Sequence, residues 1–332
     1  SIFLNPKLFA RVQYLHARKA TLGLNAEEKQ ALDVYYQNFV QAGAQLSDGD
    51  KAKLRDLNTR LSKLETVFQQ KLLAGTKASA LIVSDKAKLA GLDDATITAA
   101  LTAAKERKLD CKWLLPLQNT TQQPALESLT DRETRQALFE QSWTRVEKGG
   151  DGDTRDTIAA IAQLRAQKAA LFGYKNYAAY VLADQMAKTP EAVHSFIAQI
   201  VPALAAEQKR EAADIQATIT KSGASFQLKP WDWSYYAGQV RKARLNFDEN
   251  QVKPYFELNT VLQDGVFFAA NRLYGITFKR RTDIPTYNPD VMVFEVFDKD
   301  GSELGLIYFD YFQRDNKNGG AWMSNFVGQS AL

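Results

Sequence analysis

The chain has 332 residues, 45% of them hydrophobic and 24% charged, with a formal net charge of +4 and a single cysteine. Such values fit one large globular domain or two ordinary ones, long enough to bury a sizeable core. They exclude an intrachain disulfide, and no apolar run approaches the ~20 residues that cross a bilayer, so no membrane partner is expected. The basic residues are interspersed with acids, and the densest cluster, Lys279-Arg280-Arg281, lacks interleaved aromatics, which argues against nucleic acid.

Amphipathic pattern begins at once, without a signal peptide or an initiator Met, so the sequence is expected to be a fragment or a processed chain. Pro6 in a first-turn position precedes Leu8, Val12 and Leu15, which predicts a helix. Asn25 is set to cap the next helix, whose apolar stripe is Leu32, Tyr35, Tyr36, Phe39 and Val40 and whose stop is Gly43. Ser47 or Asp48 opens a long helix in which Leu54, Leu57, Leu61, Leu64, Phe68 and Leu72 recur every three or four residues. The repeat lasts about three heptads, too short for a coiled coil. A core helix is expected, paired with the preceding one as an antiparallel hairpin.

Ala80-Leu-Ile-Val83 and Lys112-Trp-Leu-Leu-Pro-Leu117 are expected to pair as a small sheet, the second confined to an edge by Pro116. An Ala-rich helix from Asp94 or Thr96 lies between them. Helices return after Pro124: one over 131–145, one capped by Asp153 and closed by Gly173, one over 177–186, and one of about 30 residues from Pro190 toward Ile219.

Composition shifts after Gly223. The aromatic stretch Pro230-Trp231-Asp232-Trp233-Ser234-Tyr235-Tyr236 is followed by a helix over 257–273. From Ile276 the period becomes two, predicting strands at Ile276-Thr-Phe278, Val291 to Phe297, Gly305 to Asp310 and Ala321-Trp-Met323, with Asp298-Lys-Asp-Gly301 as a hairpin turn. The expected fold class is mainly α, in the α+β sense. It comprises a multi-helical body over 1–275, with a strand pair near 80–117, and a small, mostly antiparallel sheet in a β-hairpin region over 276–332.

The histidine count limits the chemistry. His16 and His194 are the only two, on separate predicted helices, and no His-Glu-x-x-His occurs. Glu191 and His194 have Glu-x-x-His spacing without a second copy, and read as a solvated first turn with the acid near the helix N-terminus. His16, beside Arg18 and Lys19, reads as an exposed helix residue. Cys111 has no His nearby and reads as a small buried or half-buried thiol. No Gly-x-Ser-x-Gly elbow is present. Asp93-Asp94 and Glu27-Glu28 fall at helix starts, where acids favour the macrodipole. Asp232, between two tryptophans, reads as a turn or capping acid in an aromatic cluster. No catalytic residue and no metal ligand is assigned.

The candidate substrate-binding residues are Gly319, Gly320, Ala321, Trp322 and Met323. An extended peptide can add to a sheet edge through main-chain hydrogen bonds. Glycines let a backbone come close, and Trp322 and Met323 can shape neighbouring pockets. On these residues alone, an ordinary buried strand with a glycine bulge is the stronger reading.

Several motifs follow one another in a telling order. They are Asn119-Thr-Thr-Gln-Gln-Pro124, Leu164-Arg-Ala-Gln-Lys-Ala169 with Leu171-Phe-Gly-Tyr-Lys-Asn-Tyr-Ala178, Asp184-Gln-Met-Ala-Lys-Thr-Pro-Glu-Ala192, Pro230-Trp-Asp232, Lys253-Pro-Tyr-Phe-Glu257, and Phe309-Asp310 with Arg314 and Lys317. This series resembles the thimet oligopeptidase family of zinc metallopeptidases, and within it the bacterial peptidyl-dipeptidase group. Gly319-Gly320-Ala321-Trp322 resembles the family's cleft-lining strand. One departure is Tyr287-Asn288-Pro289-Asp290-Val291, where many relatives carry Trp-His before Pro-Asp-Val.

The resemblance implies a two-lobed helical ellipsoid with a deep cleft that restricts substrates by size. It implies hydrolysis of short peptides with release of C-terminal dipeptides, by a zinc-activated water and the Glu of a zinc helix. It further implies that the zinc ligands lie outside this chain, in a C-terminal catalytic half that is its partner, and that residues 276–332 begin the catalytic domain. The 332 residues alone would be inactive, supplying cleft wall and substrate-strand contacts. A cytoplasmic location is expected, and the single cysteine fits a reducing compartment. The alternative is a non-enzymatic helical interaction module that lost the metal-binding half.

Overall fold

The structure, a computed structural model, describes residues 2–246, 251–317 and 319–325, the side chains of 119–121 excepted. The chain divides into two units: Ser1–Ala78 with Thr144–Glu211, and Ser79–Trp143 with Ala212–Leu332. None of its helices is long and apolar enough to cross a membrane, among the described residues.

In the first unit, local caps set the helix starts. Asn5 accepts from the Lys7 and Leu8 backbone N–H groups at the head of α1 (Pro6–Ala17). Asn25 and Glu28 form a reciprocal capping box on α2 (Ala26–Gln41). Ser47 Oγ accepts from the Asp50 N–H at the head of α3 (Asp48–Ala78). The three-and-four repeat of α3 is a core face: Leu57 and Leu61 are buried against Ile161 and Leu164 of α7 (Arg155–Leu171). The expected hairpin of α2 with α3 is not the principal pairing. The apolar stripe of α2 is used on α1, where Phe9 packs on Phe39 at 5.6 Å and on Tyr36 at 6.0 Å between ring centroids. A short α8 (Tyr177–Leu182) follows, capped by Asn176. The long α9 (Pro190–Lys221) then begins in this unit and ends in the other.

In the second unit, β1 (Leu81–Val83) pairs antiparallel with β2 (Trp113–Leu115), as expected. Helices α4 (Asp94–Glu106), α5 (Asn119–Ser128) and α6 (Arg132–Trp143) accompany a core that includes Leu89, Leu115, Leu129 and Leu138. The chain comes close at Gly91, whose φ is +96° and where an added Cβ would lie 2.1 Å from the Ser128 carbonyl oxygen. Helix α5 does not wait for Pro124 but contains it. An internal proline costs ~3 kcal/mol, and burying Leu126 and Leu129, worth ~1.5–3 kcal/mol each, offsets that.

The aromatic stretch after Gly223 is a helix, α10 (Pro230–Leu245), which no apolar period announces because its aromatics are spread around the axis. Tyr236 packs with Ile215 and Ile219 of α9. Helix α11 (Leu258–Thr260) passes through a π-helical stretch (Val261–Phe267) into α12 (Phe268–Tyr274). Strands β3 (Thr277–Arg281), β4 (Met292–Phe297) and β5 (Glu303–Phe309) make an antiparallel sheet in the order β3-β4-β5. The fold is thus mainly α with two small antiparallel sheets. The fourth expected strand, Ala321-Trp-Met323, does not form: these residues have no regular structure. A strand needs hydrogen bonds to a neighbour, and this segment makes none among the described backbone bonds. Asn318 and residues 326–332 of the expected hairpin region lie outside the described residues.

Candidate functional site

The β4–β5 hairpin turns at Asp298-Lys-Asp-Gly301. The Asp298 N–H donates to the Ser302 carbonyl at 2.8 Å and the Gly301 N–H to the Asp298 carbonyl at 3.0 Å. Met292 stands opposite Phe309, and Phe294 opposite Ile307. One apolar cluster joins the sheet to the π-helical stretch: Leu262, Met292 and Phe294 are buried, with Phe267, Phe278 and Phe309 packed on them. The Phe267 and Phe278 rings stack at 4.0 Å. A rigid, anchored sheet is what a strand-adding ligand requires.

Its two edges differ. Edge strand β3 carries Lys279, Arg280 and Arg281, and Arg281 is held by Asp283 at 2.6 Å and by Glu295 of β4 at 3.2 Å. Charged edge strands resist further pairing. The other edge, β5, has Glu303 as its only charged residue, and Leu304, Gly305 and Leu306 are exposed. Among the described residues, β5 has no second partner strand. Main-chain addition is therefore chemically open at β5 and discouraged at β3.

A charged knot follows β5. Arg314 donates to both Asp310 carboxylate oxygens at 2.8 Å, and the Tyr287 hydroxyl donates to Oδ2 at 3.2 Å. Lys317 Nζ lies 3.2 Å from Asp310 Oδ1 and donates to the Phe312 carbonyl at 3.2 Å and to that of Asp310. The Arg314 guanidinium, helped by Lys317 and Tyr287, holds the Asp310 carboxyl well below the usual carboxylate range. Asp315 is bound by Arg107 at 3.0 Å. The sequence showed Asp310, Arg314 and Lys317 as a motif without a role. Their role in the fold is to tie down the loop of residues 310–317, which follows β5.

The candidate residues Gly319, Gly320, Ala321, Trp322 and Met323 come directly after this loop and are all exposed, Trp322 by 61% and Met323 by 87%. The buried strand favoured on residues alone is corrected: the segment is neither buried nor a strand. Gly320 has φ +115°, a backbone that favours glycine, while an added Cβ would only touch the Trp322 ring at 3.9 Å.

The donor set of the described residues does not fit a catalytic zinc. Among the described residues no group of three or more His, Cys, Asp or Glu is placed to hold a metal ion. His16 is half-buried rather than exposed, stacked on Tyr36 at 3.9 Å and 3.1 Å from Asp33. That carboxylate already takes Lys19 on both oxygens at 2.6 Å, which lowers its pKa. Glu191 and His194 are exposed. Cys111 is exposed rather than half-buried. Asp232 is a capping acid, accepting from the Lys229 N–H at 3.2 Å, and is also bound by Arg132 and Arg135. The i, i+3 arginines of α6 were the available signal for that partnership.

Residues 125–331 match Peptidase family M3. The chain belongs to peptidase family M3. Over 331 residues it is 52% identical to the Dipeptidyl carboxypeptidase of Escherichia coli (strain K12), a match that covers 100% of this chain and 49% of that protein. The Dipeptidyl carboxypeptidase of Salmonella typhimurium is 51% identical with the same coverage. Oligopeptidase A of Escherichia coli is 30% identical over 310 residues, 92% of this chain and 45% of that protein. The M3 chain spans about half the length of the curated relatives it matches. Family M3 consists of metallopeptidases, so the ordered motifs pointed to the right family.

Proposed function

We propose that this M3 chain is one half of a peptidyl-dipeptidase that hydrolyses short peptides and releases C-terminal dipeptides. The observation that carries the reading is the 52% identity to Escherichia coli Dipeptidyl carboxypeptidase along 100% of this chain. In this reading the β3-β4-β5 sheet belongs to the wall of a substrate cleft, and residues 276–332 begin the catalytic domain. The peptide lies extended along the β5 edge. Backbone groups hold it without regard to its side chains, while Trp322 and Met323 contact the side chains themselves. The loop tied by Asp310, Arg314 and Lys317 positions residues 319–323 for that contact.

Zinc, its ligands and the general base are assigned to sequence other than these 332 residues, because among the described residues no group of three or more donors is placed to hold a metal ion. When bound there, zinc supplies an activated water for amide hydrolysis. The chain described here binds and orients. A cytoplasmic setting suits an enzyme of this kind with one unpaired cysteine.

The test is hydrolysis of an N-terminally blocked tetrapeptide, followed by mass spectrometry. The complete protein is expected to release the C-terminal dipeptide and to stop when a chelator removes the metal. The 332-residue chain alone is expected to release none. Metal-dependent cleavage by the chain alone would overturn the assignment of the ligands. Absence of cleavage by the complete protein would overturn the enzyme reading and favour a helical interaction module.

A further inference from the structure

Between Ala192 and Ala206, α9 contains no Asp, Glu, Lys or Arg. A helix segment without charge around its circumference belongs in an interior. Here it faces water: Phe196, Ile197, Ile200, Val201 and Leu204 are all exposed, Phe196 and Leu204 by 64%. The contrast lies within the same helix, where Ile215 and Ile219 are buried.

The five exposed residues form two adjacent i, i+4 rows, Phe196-Ile200-Leu204 and Ile197-Val201. Such rows are the ridges between which a second helix seats its own side chains. A contiguous apolar stripe of this kind on a soluble protein marks an interface. Charge is depleted at the core of an interface, and permanent interfaces are the more hydrophobic ones.

We infer that the 196–204 stripe of α9 is the docking surface for an apolar helix face from the catalytic half of the same protein. This rests on the reading that the chain is half of an M3 peptidase. The matched relatives carry about as much sequence again, since the chain covers 49% of the Dipeptidyl carboxypeptidases. In that reading, the further sequence brings an apolar face to bury against the stripe. A covalently continuous partner is present at high effective concentration, so it outcompetes a second copy for the same surface.

The experiment places p-benzoyl-phenylalanine at Ile197 in the complete protein, irradiates it and maps the products by mass spectrometry. The expected product joins position 197 to a residue of the catalytic half, outside these 332, and a product with any other outside segment overturns the inference. A product joining two copies of the chain, or no crosslink at all, overturns the inference. In parallel, Ile200→Asp in the complete protein should lower its melting temperature by several degrees, and an unchanged melting temperature counts against the inference. If Ile200→Asp fails to fold, the crosslink decides. The tetrapeptide assay on the unmodified protein reads the proposed function separately. Crosslinks to the other half without dipeptide release would sink the function alone, and dipeptide release with copy-to-copy crosslinks would sink the docking surface alone.

Discussion

Arg135 donates to Asp232 at 3.2 Å with both side chains almost wholly out of water, 1% and 0% exposed. Arg132 grips the same carboxylate through Nε at 2.9 Å and Nη2 at 2.8 Å. Arg135 also donates to the Leu129 and Thr130 carbonyls at 2.8 and 3.1 Å and lies over the Tyr235 ring. One carboxylate thus stands between two guanidinium groups and ties α6 to the head of α10. Removing one member of a buried ion cluster leaves charge without compensation.

Asp232→Asn should therefore lower folding stability by ~3–5 kcal/mol, the typical loss when a buried ion pair is broken. Urea denaturation of the purified chain measures it. A loss below ~1 kcal/mol would show that the two arginines find other acceptors.

The close approach at Gly91 predicts a graded pair of substitutions. Gly91→Ala places Cβ 2.1 Å from the Ser128 carbonyl oxygen in a left-handed backbone, whereas Gly149, at φ +82°, has nothing within 4 Å of its added Cβ. Gly149→Ala should lose only the left-handed penalty of ~1–2 kcal/mol, and Gly91→Ala clearly more. Equal losses by chemical denaturation would contradict the contact.

Asp310 predicts a pH dependence with a definite sign. Its folded-state carboxyl is held below the ordinary value, first by Arg314. The stability it contributes is complete above the unfolded value of ~3.9 and fades as pH falls from there toward the depressed folded value. The stability gap between the parent chain and Asp310→Asn should stay constant from neutral pH to ~5 and narrow below ~4. Thermal melts across that range check it, and a gap that widens on acidification has the wrong sign.

The exposed segment predicts a kinetic effect without a folding effect. Trp322→Ala in the complete protein should leave the melting temperature unchanged, because exposed substitutions usually stay within ~0.5 kcal/mol, and raise KM for the tetrapeptide about tenfold, or ~1.4 kcal/mol. Gly320→Val should slow turnover, because a β-branched residue is strained at φ +115° and shifts the backbone of the segment. Unchanged kinetics in both variants would remove residues 319–323 from the substrate path.

Much of the fold was legible because its signals act over a few residues. Asn25 announced α2, Pro190 announced α9, and Asp298-Lys-Asp-Gly301 announced the β4–β5 turn. α10 was not legible, since its aromatic residues follow no single stripe. Within the candidate site, Asp310, Arg314 and Lys317 were visible as a motif, yet only side-chain geometry shows that the two cations are engaged by one carboxylate.

The sequence by itself determined the mainly α fold class, most helix starts, and membership of a peptidase family through motifs in a fixed order. Caps, turns and helical periodicity depend on neighbours in the chain, so they can be read from a linear string. Tertiary structure decided that α2 packs on α1 and α3 on α7, that Asp232 meets arginines about a hundred positions away, and that Ala321-Trp-Met323 pairs with no strand among the described residues. Those outcomes depend on groups far along the chain that compete for the same partner, and a strand exists only where another backbone offers its hydrogen bonds.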